Sequence, residues 1–154
     1  MICNNILEAI GHTPMVRLNR ICEKGAAEIL VKYEGVNIGG SVKTRTAYNM
    51  IVEAEKAGLI NKDTIIVEPT SGNQGIGLAL VGAVRGYKVV IIMPDSVSEE
   101  RRKLVKNYGA DVILVRDEGN IGKCIAECVA TANRLLRKIQ RCLFQNSFLI
   151  QIIL

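Results

Sequence analysis

The chain has 154 residues, 49% hydrophobic and 23% charged, with aromatics at 4% and no Trp. This suits one folded domain with an aliphatic core and excludes a disordered chain. The net charge of +5 is local: Arg134, Arg137, Lys138 and Arg141 are followed by no acid, so without residues 134–154 the balance is +1 (5 − 4). With no basic stripe interleaved with aromatics, nucleic acid is not expected as a partner.

The opening stretch, "ILEAIGHTPMVRLNRICEKGAAEILVKYEG", holds a Thr-Pro turn and two strand-like runs, "MVRLN" and "EILVKYE". They read as strands of a neighbouring sheet. "TRTAYNMIVEAEKAGLI" is a helix feeding the β-branched run "TIIVEP", a buried strand. "SGNQGIGLALVGAVRG" follows as a glycine turn and an apolar helix beginning near Gly75 and ending at Gly86. "YKVVIIMP" is the next strand. "SVSEERRKLVKNYG" is a helix with Ser96 or Ser98 as cap and acids in its first turn. "ADVILVRD" and "NIGKCIAECVATANRLLRK" complete a third strand–helix unit. The repeat predicts an α/β fold, a three-layer parallel sheet with helices on both faces.

Cys124 and Cys128 lie one helical turn apart, but no second ligand pair accompanies them, so they read as reduced thiols on a helix and no metal is expected. There is no basic-then-apolar leader and no apolar run of bilayer length. The expectation is a cytoplasmic protein with no membrane partner.

Two stretches could carry chemistry. In "EPTSGNQGIGLA" a strand ends, and Thr70, Ser71, Gly72, Asn73 and Gln74 lead into a helix. Helix-start amides with two hydroxyls and two side-chain amides suit an anion, carboxylate or phosphate alike. The loop also lies at the carboxyl end of a strand, where open α/β sheets bind ligands. A plain turn with Ser71 or Asn73 as cap is the simpler alternative. In "EGVNIGGSVKTRTA", Lys43 stands behind two glycines and a serine. The phosphate loop of nucleotide hydrolases is excluded because Val42, not Gly, precedes the lysine. At a helix start the dipole disfavours an ammonium, the condition that a Schiff-base lysine needs. A solvated helix-start lysine is the alternative.

"GGSVK", followed some thirty positions on by "TSGNQGIGLA" and preceded by "IGHTPMVRL", closely resembles the cysteine synthase family of pyridoxal-phosphate enzymes. The resemblance runs through "MPDSVSEERRKLVKNYGADVILV" to about residue 138. It implies a fold-type II pyridoxal-phosphate enzyme. It also implies that Lys43 bonds the cofactor aldehyde and moves the substrate's α-proton, and that Asn73 hydrogen-bonds the cofactor's ring oxygen. Thr70, Ser71, Gly72, Asn73 and Gln74 would grip the amino-acid carboxylate. The implied reaction is β-replacement, in which O-acetylserine loses acetate and accepts sulfide to give cysteine. The small-molecule partners would be the amino acid and sulfide, with a homodimer for the complete protein.

Ile38 and Thr44 depart from the motif N-P-G-G-S-V-K-D-R, Gln74 stands where Thr is commonest, and His12 where Asn is. Gln74 bears on the leaving group, so a cystathionine β-synthase-like enzyme stays open, as does a non-catalytic fragment. His12 reads as structural.

Members of the family are roughly twice as long, which implies a truncated chain with little activity. Residues 1–39 are expected to belong to the larger, mostly missing domain, and 40–138 to form a small α/β domain. Residues 139–154, "IQRCLFQNSFLIQIIL", are an anomalous tail without an acid, Gly or Pro. Restoring one adenine in the run encoding Lys138 allows codons that read as the family's next stretch, so the tail is expected to be out of frame.

Overall fold

The computed structural model describes residues 2–23, 25, 27–143 and 150–152, the side chains of 139–143 and 150–152 excepted. In chain order the elements are β1 (Met15–Arg17), β2 (Leu30–Lys32), α1 (Lys43–Lys56), β3 (Ile65–Pro69) and α2 (Asn73–Arg85). After them come β4 (Lys88–Pro94), α3 (Glu99–Asn107), β5 (Asp111–Val115), α4 (Ile121–Leu143) and β6 (Ile150–Ile152). Strands β5, β4, β3 and β6 form one parallel sheet in that order. β1 and β2 form a separate antiparallel ribbon, with Met15 opposite Lys32.

The period-two alternation of the strands sorts the core into two layers. Ile66, Ile91 and Met93 pack with Ala47 and Ile51 of α1, with Ile76 to Val81 of α2, and with Val105 of α3. Val67, Val90 and Ile92 face the other way, onto Cys124, Cys128 and Ala132 of α4. Helices therefore cover both faces, and β4, central in the sheet, is buried from Val89 to Pro94. The two α4 thiols are core residues, as their spacing suggested, and burial pushes the Cys128 thiol up to about 11.

From β3 the chain winds outward through β4 to β5, then α4 carries it back to the far side of β3, where β6 pairs with Ile65–Val67. The winding thus reverses at β3. In open α/β sheets the crevice outside the carboxyl end at such a reversal is the ligand position. The loop of residues 70–74 leaves β3 at that end.

The sheet and helix boundaries match the sequence reading closely, with three differences. α2 begins at Asn73 with Gly72 as its cap, so neither Ser71 nor Asn73 caps it and the start lies earlier than Gly75. Ser98 occupies the cap position of α3 without a side-chain capping bond. α4 runs on to Leu143, and Ile150–Ile152 join the sheet, so two pieces of the expected tail have regular structure. The rest of that tail lies outside the described residues. Among the described residues no helix is long and apolar enough to cross a membrane, and no group of three or more His, Cys, Asp or Glu is placed to hold a metal ion.

Candidate functional site

Two helix starts meet at the candidate site. Lys43 is the first residue of α1 and Asn73 the first of α2. They are brought together by Gly77, which allows α1 to lie directly against α2. A Cβ on Gly77 would stand 3.1 Å from the Lys43 carbonyl oxygen, 3.2 Å from the Thr44 Cα and 3.0 Å from the Ala47 Cβ. No larger residue fits that crossing without moving the first turn of α1.

The turn into α1 is shaped by its glycines. Gly39 and Gly40 have φ of +81° and +76°, in the left-handed region where side chains are strained. A Cβ on Gly39 would also come 2.5 Å from the Thr44 hydroxyl. That hydroxyl is fully buried and has no partner among the described residues. The Ser41 hydroxyl accepts from the Lys43 N–H at 3.2 Å. The Lys43 side chain is exposed and engages no acid or other partner among the described residues.

The loop after β3 is held from three sides. The Thr70 N–H donates to the Ile92 carbonyl at 2.9 Å, and the Thr70 hydroxyl accepts from Gly72 N–H at 3.2 Å. Arg101 of α3 donates to the Ser71 carbonyl at 2.9 Å. Gln74 reaches back to the Met50 sulfur of α1 at 3.3 Å. Asn73 is exposed, whereas Thr70, Ser71, Gly72 and Gln74 are half-buried. Gly75 admits the close packing of the Thr70 methyl, which would lie 2.8 Å from a Cβ there. The sequence-selected residues therefore fall in two neighbouring groups: Lys43 on α1, and residues 70–74 at the amide-rich start of α2.

Electrostatics at this edge single out Glu68, the second-last residue of β3. Burial pushes its carboxyl up to about 7, and its Oε2 is buried without a hydrogen-bond partner among the described residues. Nothing in the motif reading marked Glu68. The available signal was one acid inside the otherwise apolar run "TIIVEP". His12 is exposed, and its N–H closes a turn onto the Ala9 carbonyl at 3.4 Å.

A second unmarked group lies behind Lys43. Arg45 donates through Nε and Nη2 to the two oxygens of Glu34, at 2.9 and 2.8 Å. These bonds hold the Glu34 carboxyl at about 2, well below the usual carboxylate range. Both residues stand in the same quoted stretch as Lys43, eleven positions apart.

Pyridoxal phosphate offers an aldehyde to an amine and a ring oxygen to an amide, and it works on an amino acid whose carboxylate needs donors. An exposed, unpaired lysine beside an amide-rich helix start with two hydroxyls fits those needs. The Glu68 Oε2 near the end of β3 and the Thr44 hydroxyl in the first turn of α1 are buried without a partner among the described residues, so each has hydrogen-bonding capacity to offer a bound group.

A family model described as pyridoxal-phosphate dependent enzyme matches residues 6–152. A probable cysteine synthase of Bacillus subtilis is 46% identical over 134 residues, covering 87% of this chain and 43% of that protein. A cysteine synthase of a Flavobacterium strain is 53% identical over 119 residues, covering 77% and 38% respectively. Among solved structures, a hydrogen sulfide-producing enzyme from Fusobacterium nucleatum superposes with a TM-score of 0.77 at 44% identity, over 99% of this chain and 45% of its own. The chain thus spans about two-fifths of the length of the curated relatives it matches.

Proposed function

Since this chain belongs to the pyridoxal-phosphate dependent enzyme family, we propose that it carries the lysine and the carboxylate loop of a cysteine synthase, which replaces the β-substituent of O-acetylserine with sulfide. The observation that carries the reading is the seating of Lys43 at the head of α1 against Gly77, one turn into the helix that leaves the loop of residues 70–74. Pyridoxal phosphate, when bound, supplies an electron sink for the substrate's α-carbon. Lys43 would hold it through its amine and take up the α-proton. Asn73 would orient the cofactor ring through its amide. Thr70, Ser71, Gln74 and the first amides of α2 would hold the substrate carboxylate and align its α-carbon with Lys43. A cytoplasmic location and a homodimer of the complete enzyme belong to the same proposal.

The test is borohydride reduction of the chain with pyridoxal phosphate, followed by peptide mapping. A label concentrated on Lys43 and lost in Lys43→Ala supports the reading. Labelling spread evenly over exposed lysines such as Lys62 would end it. Incubation of the chain with O-acetylserine and sulfide, and in parallel with serine and homocysteine, separates the cysteine-forming reaction from the cystathionine-forming alternative.

A further inference from the structure

Around the Glu34–Arg45 pair the polar groups close into one network, which ties Gly11 and Thr13 to the chain that leads into Lys43. Beyond the two-point bond to Glu34, Arg45 Nη2 donates to the Gly11 carbonyl at 2.7 Å and to the Thr13 hydroxyl at 3.3 Å. The Thr13 hydroxyl donates to Glu34 at 2.7 Å. Asn37, only 4% exposed, uses all its side-chain valences. Its amide donates to Glu34 at 3.1 Å and to the Ser41 carbonyl at 3.3 Å. Its oxygen accepts from the N–H groups of Gly11 and Ile38, both at 3.0 Å. The network therefore fixes residues 37 and 41 before Lys43 and residue 45 after it.

We propose that Glu34 and Arg45 are positioning residues for Lys43. Their two-point pair, keyed by Asn37 and Thr13, clamps the glycine turn of residues 37–42 and so sets the direction in which the first turn of α1 presents its amine. A planar guanidinium holds both carboxylate oxygens at fixed angles, which a single ammonium does not. Without the clamp, a turn containing two adjacent glycines has wide backbone freedom. The inference rests on Lys43 being the cofactor lysine.

Two measurements on the 154-residue chain test it, using Glu34→Gln and Arg45→Lys. The first is amide hydrogen exchange without cofactor at Gly40, Lys43 and Thr44. Their N–H groups bond the Asn37 carbonyl, the Ser41 hydroxyl and the Ser41 carbonyl. Loss of charge-assisted bonds should speed their exchange by about tenfold or more in both variants, while core amides of α2 such as Leu80 stay unchanged. The second is borohydride labelling, where the yield at Lys43 relative to Lys62 should fall by a similar factor, with Arg45→Lys failing to rescue it. Unchanged exchange at residues 40–44 would overturn the clamp whatever the labelling shows. Acceleration spread evenly through α2, or loss of folding in both variants, would make the network a general support and overturn it as well. If the wild-type chain itself labels evenly, the cofactor assignment fails, and the exchange data still decide whether the turn is clamped.

Discussion

Gly77 and Lys43 touch through backbone: the Lys43 carbonyl oxygen lies where a side chain on Gly77 would begin, 3.1 Å from its Cβ position. The crossing of α1 and α2 sets how the start of α1, with Lys43, stands relative to the loop of residues 70–74. Gly77→Ala must push the helices apart by a few tenths of an ångström, because Ala47 blocks the other side at 3.0 Å. Overpacking of this kind should cost about 1–3 kcal/mol. Urea unfolding followed by circular dichroism measures the loss, and cofactor labelling at Lys43 should fall with it. Full stability in Gly77→Ala would show that the helices separate at this crossing without cost.

How much of this was legible beforehand differs between the fold and the site. Strand–helix alternation from Ile65 to Val115 is written in β-branched runs punctuated by glycine, and each element falls within a few residues of its reading. The candidate residues of the site were legible because they sit in two motifs. Their surroundings were not. Glu68 reads as a stray acid until burial removes its water, and Glu34 reads as one more surface charge until Arg45, eleven residues on, folds back onto it. Desolvation and long-range pairing depend on which faces the fold brings together, and local periodicity carries no record of that.

The Glu34 carboxyl titrates at about 2 in the folded chain, against an ordinary value of 4.5, chiefly because Arg45 and then Thr13 hydrogen-bond its charged form. An acid with a lowered folded pKa contributes stability that is complete above its unfolded value. That contribution is lost as pH falls from about 4.5 toward 2. The difference in unfolding free energy between wild type and Glu34→Gln should therefore be constant above pH 5 and shrink below it. Chemical denaturation at a series of pH values reads it directly. A difference that persists undiminished at pH 2.5 would mean the charged pair is not its source.

Of the two sheets, the β1–β2 ribbon is the one without a buried face. All six residues of the two strands are exposed, Met15 at 59% and Leu30 at 49%. A two-stranded ribbon without a packed face has little stability of its own. It is fastened to α1 through the bonds of Arg45 to Glu34, Gly11 and Thr13, while Lys32 of β2 donates to the Thr13 carbonyl within the ribbon region itself. Brief trypsin treatment should cut after Arg17 or Arg20 well before it cuts at Lys88 in the central strand, and mass spectrometry of the first fragments identifies the sites. First cleavage within residues 64–115 would contradict this order. Faster cutting at Arg20 in Arg45→Lys would tie the ribbon to the same clamp.

Glu68 leads to a pH dependence of the opposite sign. Burial raises its carboxyl to about 7 from an ordinary 4.5, and no cation among the described residues offsets the loss of water. Between those values the folded chain keeps a proton that the unfolded chain releases, so folding stability falls as pH rises through the window and levels off above it. Gln has the same shape and no charge to desolvate. Glu68→Gln should therefore be more stable than wild type at pH 8, close to it at pH 4.5, and flat in between where wild type declines. Thermal unfolding at four or five pH values across that range settles the point. Equal curves for the two proteins would mean that Glu68 finds water or a donor when folded. Adding pyridoxal phosphate and an amino acid gives a second reading: if a donor from either bonds the orphaned Oε2, the wild-type decline with pH should flatten in their presence while the Glu68→Gln curve does not move.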